Sequence, residues 1–271
     1  MNNRLGSLIQ RAVLDVVGSD YNSRSEMSTI GRHVPYYIMS YLKSGEAMLR
    51  MNDKEYVITP GTITLIRPNV LHDHIKTLQE DAVFLWWHFH FVTSWNIDIL
   101  RLIDLPVVTQ MSNTERFESV FIQYLEAVNK TNTIPGLVYK NAKGLEVLAY
   151  LLDSIMSSED TKLRMDVPSV FFDILDDVTS TNMTDISLSS ISKKYDLNPT
   201  YISNRFKEHF GISPIFLHRE LIVERAKGLL ISTSLNIGKI SDELGFNDIA
   251  VFTRFFTEKV GISPSKYRIK T

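Results

Sequence analysis

The chain has 271 residues, 44% of them hydrophobic, with 29 Lys and Arg against 31 Asp and Glu for a formal net charge of -2. It has no cysteine, which excludes disulfides, thiolate metal sites and thiol redox sensing and fits a cytoplasmic setting. No apolar run reaches the ~18 residues of a membrane span, and no apolar stretch follows the N-terminal Met-Asn-Asn-Arg, so a cytoplasmic protein of more than one domain is expected.

The first half alternates short β-rich runs with turn residues. Tyr36 to Leu42 reads as a strand and Lys43-Ser44-Gly45-Glu46 as its turn. Ala47 to Met51, Glu55 to Thr59 and Thr62 to Ile66 follow, separated by Asn52-Asp53-Lys54 and Pro60-Gly61, and Val83 to Val92 is an aromatic-rich strand. Strands at this spacing predict an all-β barrel or jelly roll over residues 1–112. Strand alternation sets Trp86, His88 and His90 on one face and Trp87, Phe89 and Phe91 on the other; His72 and His74 also share a face. Three readings stand for these histidines: packing, an effector pocket, or a metal site whose carboxylate would have to be Glu80. No nucleophile–base pair or Gly-rich phosphate loop is present.

From Thr114 the period becomes helical. Phe117, Val120, Phe121, Tyr124, Leu125 and Val128 line one helix; Leu145, Leu148, Leu152 and Ile155 line a second, from about Leu137 to Met156. The apolar stripes of this 113–160 region predict either a dimer interface or packing against the chain's own barrel. Ser157 to Lys162 is a polar break, and Val170 to Val178 opens a C-terminal domain over 161–271.

That domain contains a repeat. Phe206-Lys-Glu-His-Phe-Gly-Ile-Ser-Pro214 returns as Phe256-Thr-Glu-Lys-Val-Gly-Ile-Ser-Pro264. Upstream of the first copy, Leu188, Ile191 and Tyr195 mark a short helix, Asp196-Leu197-Asn198-Pro199 a turn, and Thr200 to Phe210 a second helix ended by Gly211. Upstream of the second, Ile237, Ile240 and Leu244 are followed by a turn at Gly245-Phe246-Asn247 and a helix from Ile249 to Val260. The turn of this second unit carries one extra residue. Each unit is a helix-turn-helix. Pro214 to Leu230 reads as an amphipathic connecting helix with Phe216, Leu221, Ala226 and Leu229 inward.

The second helix of each unit exposes an unusual set: Thr200, Tyr201, Ser203, Asn204 and Lys207 in one, Ala250, Val251, Thr253, Arg254 and Thr257 in the other. Small, hydroxylated and amide side chains with single cations suit a major groove better than a solvated face rich in Glu and Lys. Charge is also uneven: Lys193 to Lys270 holds 13 Lys and Arg against 8 Asp and Glu, leaving 16 against 23 elsewhere. The basic part is the part with the helix-turn-helix units, as phosphate binding requires.

These residues resemble the DNA-binding domain of the AraC/XylS family of bacterial transcription regulators. The run Ile237-Gly-Lys-Ile-Ser-Asp-Glu-Leu-Gly-Phe-Asn-Asp248, then Phe252-Thr-Arg-Phe-Phe256, Gly261-Ile-Ser-Pro264 and Tyr267-Arg268, is similar to the family signature. It departs at Ser241, where the family has Ala, at Ala250-Val251, where it has Ser-Tyr, and at Thr257, where it has Lys. Tyr36 to His74, with Pro60-Gly61 and Pro68-Asn69-Val-Leu-His72, resembles the cupin-type sensor half of the same family. The resemblance implies an α+β multidomain chain: a cupin-like β-barrel with a helical pair, then an all-α domain of two helix-turn-helix units joined by a linker helix. It implies operator DNA in successive major grooves and a small-molecule effector in the barrel, a sugar by analogy, for which Trp86, Trp87, Tyr36, Tyr37 and Tyr41 offer stacking surfaces. The expected effector residues are Tyr36, Tyr41, His72, Trp86, His88 and His90, with no cofactor and no catalytic residue. A homodimer and RNA polymerase are the further expected partners. The alternatives are a cupin metalloenzyme fused to a DNA-binding domain and a regulator without a ligand.

Overall fold

The computed structural model describes residues 6, 8–24, 28–76, 81–157, 167–180 and 186–270. The chain forms two compact units, one holding the strands and the helical pair, the other holding Val167–Thr271.

Among the described residues nine strands build the first unit: β1 (Ala12–Arg24), β2 (Ser28–Arg32), β3 (Tyr37–Ser44), β4 (Ala47–Met51), β5 (Lys54–Ile58), β6 (Thr62–Ile66), β7 (His72–Lys76), β8 (Ala82–Thr93) and β9 (Val108–Gln110). They pair antiparallel in two sheets, ordered β1-β8-β3-β6-β9 and β2-β7-β4-β5. Turn chemistry fixes the connections. Asn52 and Asp53 both take positive φ, 50° and 60°, as a two-residue hairpin loop between twisted strands requires. Gly45 (φ 86°) turns β3 into β4 where a Cβ would lie 2.9 Å from the Cα of Ala82, so both the backbone and the space demand glycine.

The sheets face each other across an apolar cluster of Ile38, Leu42, Phe84 and Ile66 from one and Ala47, Leu49, Met51 and Ile58 from the other. The outer face of the five-stranded sheet is covered by α1 (Thr114–Val128) and α2 (Ile134–Ser157). Tyr41 meets Phe117 with ring centroids 5.2 Å apart, and Trp87 meets Tyr124 at 5.8 Å. α2 comes in closely at Gly144, where a Cβ would stand 3.1 Å from Leu14 and 3.4 Å from Tyr124. Two expectations change here. The buried stripe of α2 is Gly144, Val147, Leu148, Leu151, Ser154 and Ile155, whereas Leu145 is 48% exposed. And β1, thirteen residues long, has no counterpart among the predicted strands. Gly18, Asp20 and Asn22 spoil its alternation and a register shift falls between Val16 and Gly18, yet β8 pairs with it from end to end.

The second unit is helical: α3 (Ser169–Ser180), α4 (Leu188–Tyr195), α5 (Pro199–Phe210), α6 (Pro214–Ser232), α7 (Ile237–Glu243), α8 (Ile249–Val260) and α9 (Pro264–Lys270). The expected linker residues Ser158 to Lys162 lie outside the described residues. Caps punctuate the helices, at Asn198 and Gly211 as the sequence predicts and at Asp248 and Gly261 in the equivalent places of the second unit. Asn198 accepts from the backbone N–H groups of Thr200 and Tyr201 ahead of Pro199, Asp248 accepts from Ala250, and Gly211 and Gly261 close their helices at φ 77° and 81°. Each half has its own core. Phe172, Phe206 and Phe210 pack together in the first, and Ile240, Leu244, Phe246, Phe252 and Phe256 gather on Ile222, Ala226 and Leu230 of α6 in the second. α6 is therefore not one-sided. It buries Leu217, His218, Leu221, Ile222, Val223, Ala226 and Leu230 because both halves clasp it. Phe216, expected inward, is 49% exposed beneath the Lys259 ammonium, 4.6 Å from its ring centroid.

Candidate nucleic-acid interface and sensor site

The two helix-turn-helix units superimpose in sequence to a single insertion, and the backbone locates it. Asp196 and Gly245, 49 positions apart, both adopt the left-handed conformation that ends the first helix. The N-caps of the second helices, Asn198 and Asp248, are 50 apart. The extra residue thus falls between Gly245 and Asp248, where Phe246 is drawn into the core and Asn247 is exposed.

α5 and α8 then turn equivalent faces outward. On α5, Thr200, Tyr201, Asn204 and Lys207 are exposed and Ser203 is half-buried. On α8, Ala250, Val251 and Arg254 are exposed, while Thr253 and Thr257 are half-buried. The Thr257 hydroxyl donates 2.7 Å to the Thr253 carbonyl, so it is already engaged within its helix. Other cations nearby are held. Arg205 pairs with Glu208 at 2.7 Å, and Lys259 pairs with Glu220 at 2.8 Å. Asn204, Lys207 and Arg254 have no side-chain partner among the described residues.

In the sensor half, pairing register settles which strand faces look inward. Ile38 and Leu42 of the core cluster stand opposite His88 and Phe84, and Ser40 opposite Trp86; residues directly opposite share a face. In the other sheet, Met51 stands opposite His72 and Leu49 opposite His74. Trp86, His88, His72 and His74 therefore all point between the sheets. Tyr36 stacks on His88 with centroids 5.0 Å apart and meets His90 edge-on at 6.3 Å, and Trp86 lies 4.5 Å from His88. Arg32 of β2, in register with His72, brings a guanidinium nitrogen to 3.4 Å from His88 Nε2.

The electrostatics follow from this crowding. Burial, with Arg32 and His72 adding like charge, pushes the His88 imidazole down to about 4. Burial also lowers His72, whose Nδ1 donates to the Val70 carbonyl at 2.9 Å and so carries its proton. That leaves the Nε2 lone pair of His72, a residue only 2% exposed, without a hydrogen-bond partner among the described residues. Tyr41 does not join the group. Its place in β3 faces the helices, where it is buried and donates to Glu118 Oε1 at 2.7 Å. Tyr37 and Trp87 lie on that helix side too, Tyr37 donating to Asp98 at 2.9 Å. Arg32 was not among the expected residues; it sits on a short strand whose pattern gives no signal.

Among the described residues no group of three or more His, Asp or Glu side chains could hold a metal ion, and Glu80 lies outside them. The guanidinium beside His88 also repels a cation.

A β-sandwich with polar side chains gathered between its sheets, followed by paired helix-turn-helix units, is the architecture of a transcription regulator with separate ligand-binding and DNA-binding halves. Family models agree: residues 22–123 match the AraC-like ligand binding domain and residues 191–270 a helix-turn-helix domain. The chain belongs to the AraC family of transcription regulators. It is 26% identical over 234 residues to the uncharacterized HTH-type regulator YdiP of Escherichia coli, covering 84% of this chain and 77% of that one. It is 23% identical over 244 residues to the arabinose operon regulatory protein of Salmonella typhimurium, covering 86% and 83%. Among solved structures, the C-terminal domain of AraT, a response regulator from Geobacillus stearothermophilus, matches at 27% identity and a TM-score of 0.37, covering 39% of this chain and 88% of that one.

Proposed function

We propose that this regulator works in the cytoplasm as a homodimer, without enzymatic activity, and that a neutral polyhydroxylated molecule of the carbohydrate class bound between the sheets controls its grip on operator DNA. The observation that carries the ligand class is the buried, unpartnered His72 Nε2 beside a neutral His88 and the donor groups of Arg32. A hydroxyl can donate to the imidazole and accept from the guanidinium, and Tyr36 and Trp86 supply stacking surfaces for a sugar ring. That a similar protein is named for the arabinose operon points the same way. The proposed division of labour assigns sensing to the strands, dimerisation to the helical pair and DNA reading to the last third. RNA polymerase at the promoter is the proposed downstream contact.

The homodimer rests on α2. Opposite its buried stripe, Val138, Ala142, Leu145, Ala149, Leu152 and Met156 recur at alternating spacings of four and three, the period of a coiled-coil seam. Val138 is 64% exposed, and Leu145 and Met156 48% each. The two alanines would let a second α2 approach closely.

Thermal unfolding of the full chain against a panel of pentoses, hexoses and disaccharides tests the ligand class. One sugar should raise the melting temperature and alter operator affinity, and Trp86→Ala and His72→Ala should each abolish that shift. A response confined to anions or metal ions, with no sugar active, would overturn the proposal.

A further inference from the structure

The internal duplication allows the two recognition helices to be compared position by position. At the 50-residue offset the inward positions match in kind: Ile202 with Phe252 and Phe206 with Phe256, all buried. Among the outward positions Glu208 recurs as Glu258, whereas five others differ. Thr200 is replaced by Ala250, Tyr201 by Val251, Ser203 by Thr253, Asn204 by Arg254 and Lys207 by Thr257. The scaffold has been kept while the chemistry of the reading face has changed at four of these five places, Ser203 and Thr253 sharing a hydroxyl.

The two faces fit different bases. Asn204 carries a donor and an acceptor on one planar amide, the pairing that matches N6 and N7 of adenine in the major groove. Arg254 offers only donors, in a fork that matches O6 and N7 of guanine. It is also the side chain of α8 that is free to do so, since Lys259 is held by Glu220 and Arg254 has no partner among the described residues. On the N-terminal side of Arg254 the surface is apolar, with Glu258 one turn beyond it on the other side. Ile249 is 47% and Val251 43% exposed, Ala250 is exposed, and Ile249, Ala250, Thr253, Thr257 and Glu258 line one groove with Arg254. Methyl and isopropyl groups gain nothing from phosphates, whereas the C5-methyl of thymine is their apolar counterpart in the major groove.

We infer that α8 reads a guanine flanked by thymine and α5 reads an adenine, so that the operator consists of two unlike boxes although the protein that reads it is a duplication. This rests on the DNA-binding reading and sharpens it to base chemistry. The faces lie one after the other in a single compact unit, so the boxes belong in successive turns of one duplex face.

The experiment is selection of duplexes from a random library by the full chain at fixed salt, followed by affinity measurements. Wild type should enrich two different boxes about 10 base pairs apart, one with guanine next to thymine, the other with adenine. Arg254→Ala should lower the preference for that guanine by about ten-fold or more, and Arg254→Gln should move the preference there toward adenine, with the other box unchanged. Asn204→Ala should relax the adenine and leave the guanine. Replacing the flanking thymine by deoxyuridine, which removes only the methyl, should weaken wild type several-fold and leave Val251→Ser indifferent. Two identical boxes would overturn the inference. So would indifference of wild type to deoxyuridine, as expected if the apolar face docks a protein instead, or Arg254 variants that weaken all sequences equally, as a phosphate contact would. If wild type enriched no sequence, the DNA-binding reading would fall first.

Discussion

Ser241 is fully buried in α7, and its hydroxyl oxygen has no hydrogen-bond partner among the described residues. A buried unpaired hydroxyl costs about 1–3 kcal/mol, and alanine is the better helix former. Ser241→Ala should therefore stabilise the DNA-binding half by about 1 kcal/mol, read as a higher melting temperature by circular dichroism; a lower one would show that the hydroxyl is satisfied. Phe206 and Phe256 are the opposite case, both fully buried between packed rings. Truncating either to Ala should cost roughly 3–5 kcal/mol, measurable as a lower urea midpoint, and a variant that unfolds like wild type would place its ring outside the core. His88 gives a pH signature. Its ordinary value is 6.5 and the folded value about 4, so between those limits the unfolded chain takes up a proton that the folded chain refuses. The contribution of His88 is complete above pH 6.5, is eroded as pH falls toward 4, and changes no further below that. His72, lowered as well, adds in the same sense. Nitrogen shifts of the imidazole should show His88 neutral at pH 5.5; titration near 6.5 would mean an open, solvated ring.

At the level of elements, α2 is apolar on two sides, and only one is buried among the described residues. Leu145→Glu with Leu152→Glu places charge on the outer stripe and leaves Val147, Leu148 and Leu151 untouched. The double variant should sediment as a folded monomer where wild type is a dimer. A monomeric wild type, or a variant that stays dimeric, would remove α2 as the interface. The same helix shows where sequence reading stops. Its period was legible, but two apolar stripes on one helix do not say which is inside. α6 misled for the same reason: a helix clasped from both sides has no single apolar face, so Phe216 could not be told from Leu217. Strands β3 to β6 were legible because Gly, Asn and Asp mark their turns. β1 and β2 were not, because their inward positions are polar, Asp20 and Asn22 standing opposite Trp86 and Phe84 and Arg32 opposite His72, and Arg32 was missed with them. Tyr41 went astray by strand parity. As an aromatic near Tyr36 it suited a sugar site, yet five positions along the chain it projects from the opposite side of the sheet, toward α1. The helix-turn-helix units were read almost residue for residue, since local caps and a repeat determine them without long-range pairing.

For the whole molecule, the acidic sensor half and basic reading half together conceal a DNA-binding surface behind a net charge of -2. α6 has 19 residues and is about 28 Å long, on the order of the ~34 Å between successive major-groove faces of a duplex. On the proposal of two boxes, that match would let one chain address both, and dimerisation through α2 would double them. Binding should weaken steeply with salt, because the phosphate contacts release counterions. The most direct measurement is hydroxyl-radical footprinting of the full chain on a duplex it selects. Two protected stretches on one face, about 10 base pairs apart for each bound chain, are the predicted result. A single stretch, or protection that does not depend on sequence, would contradict the account.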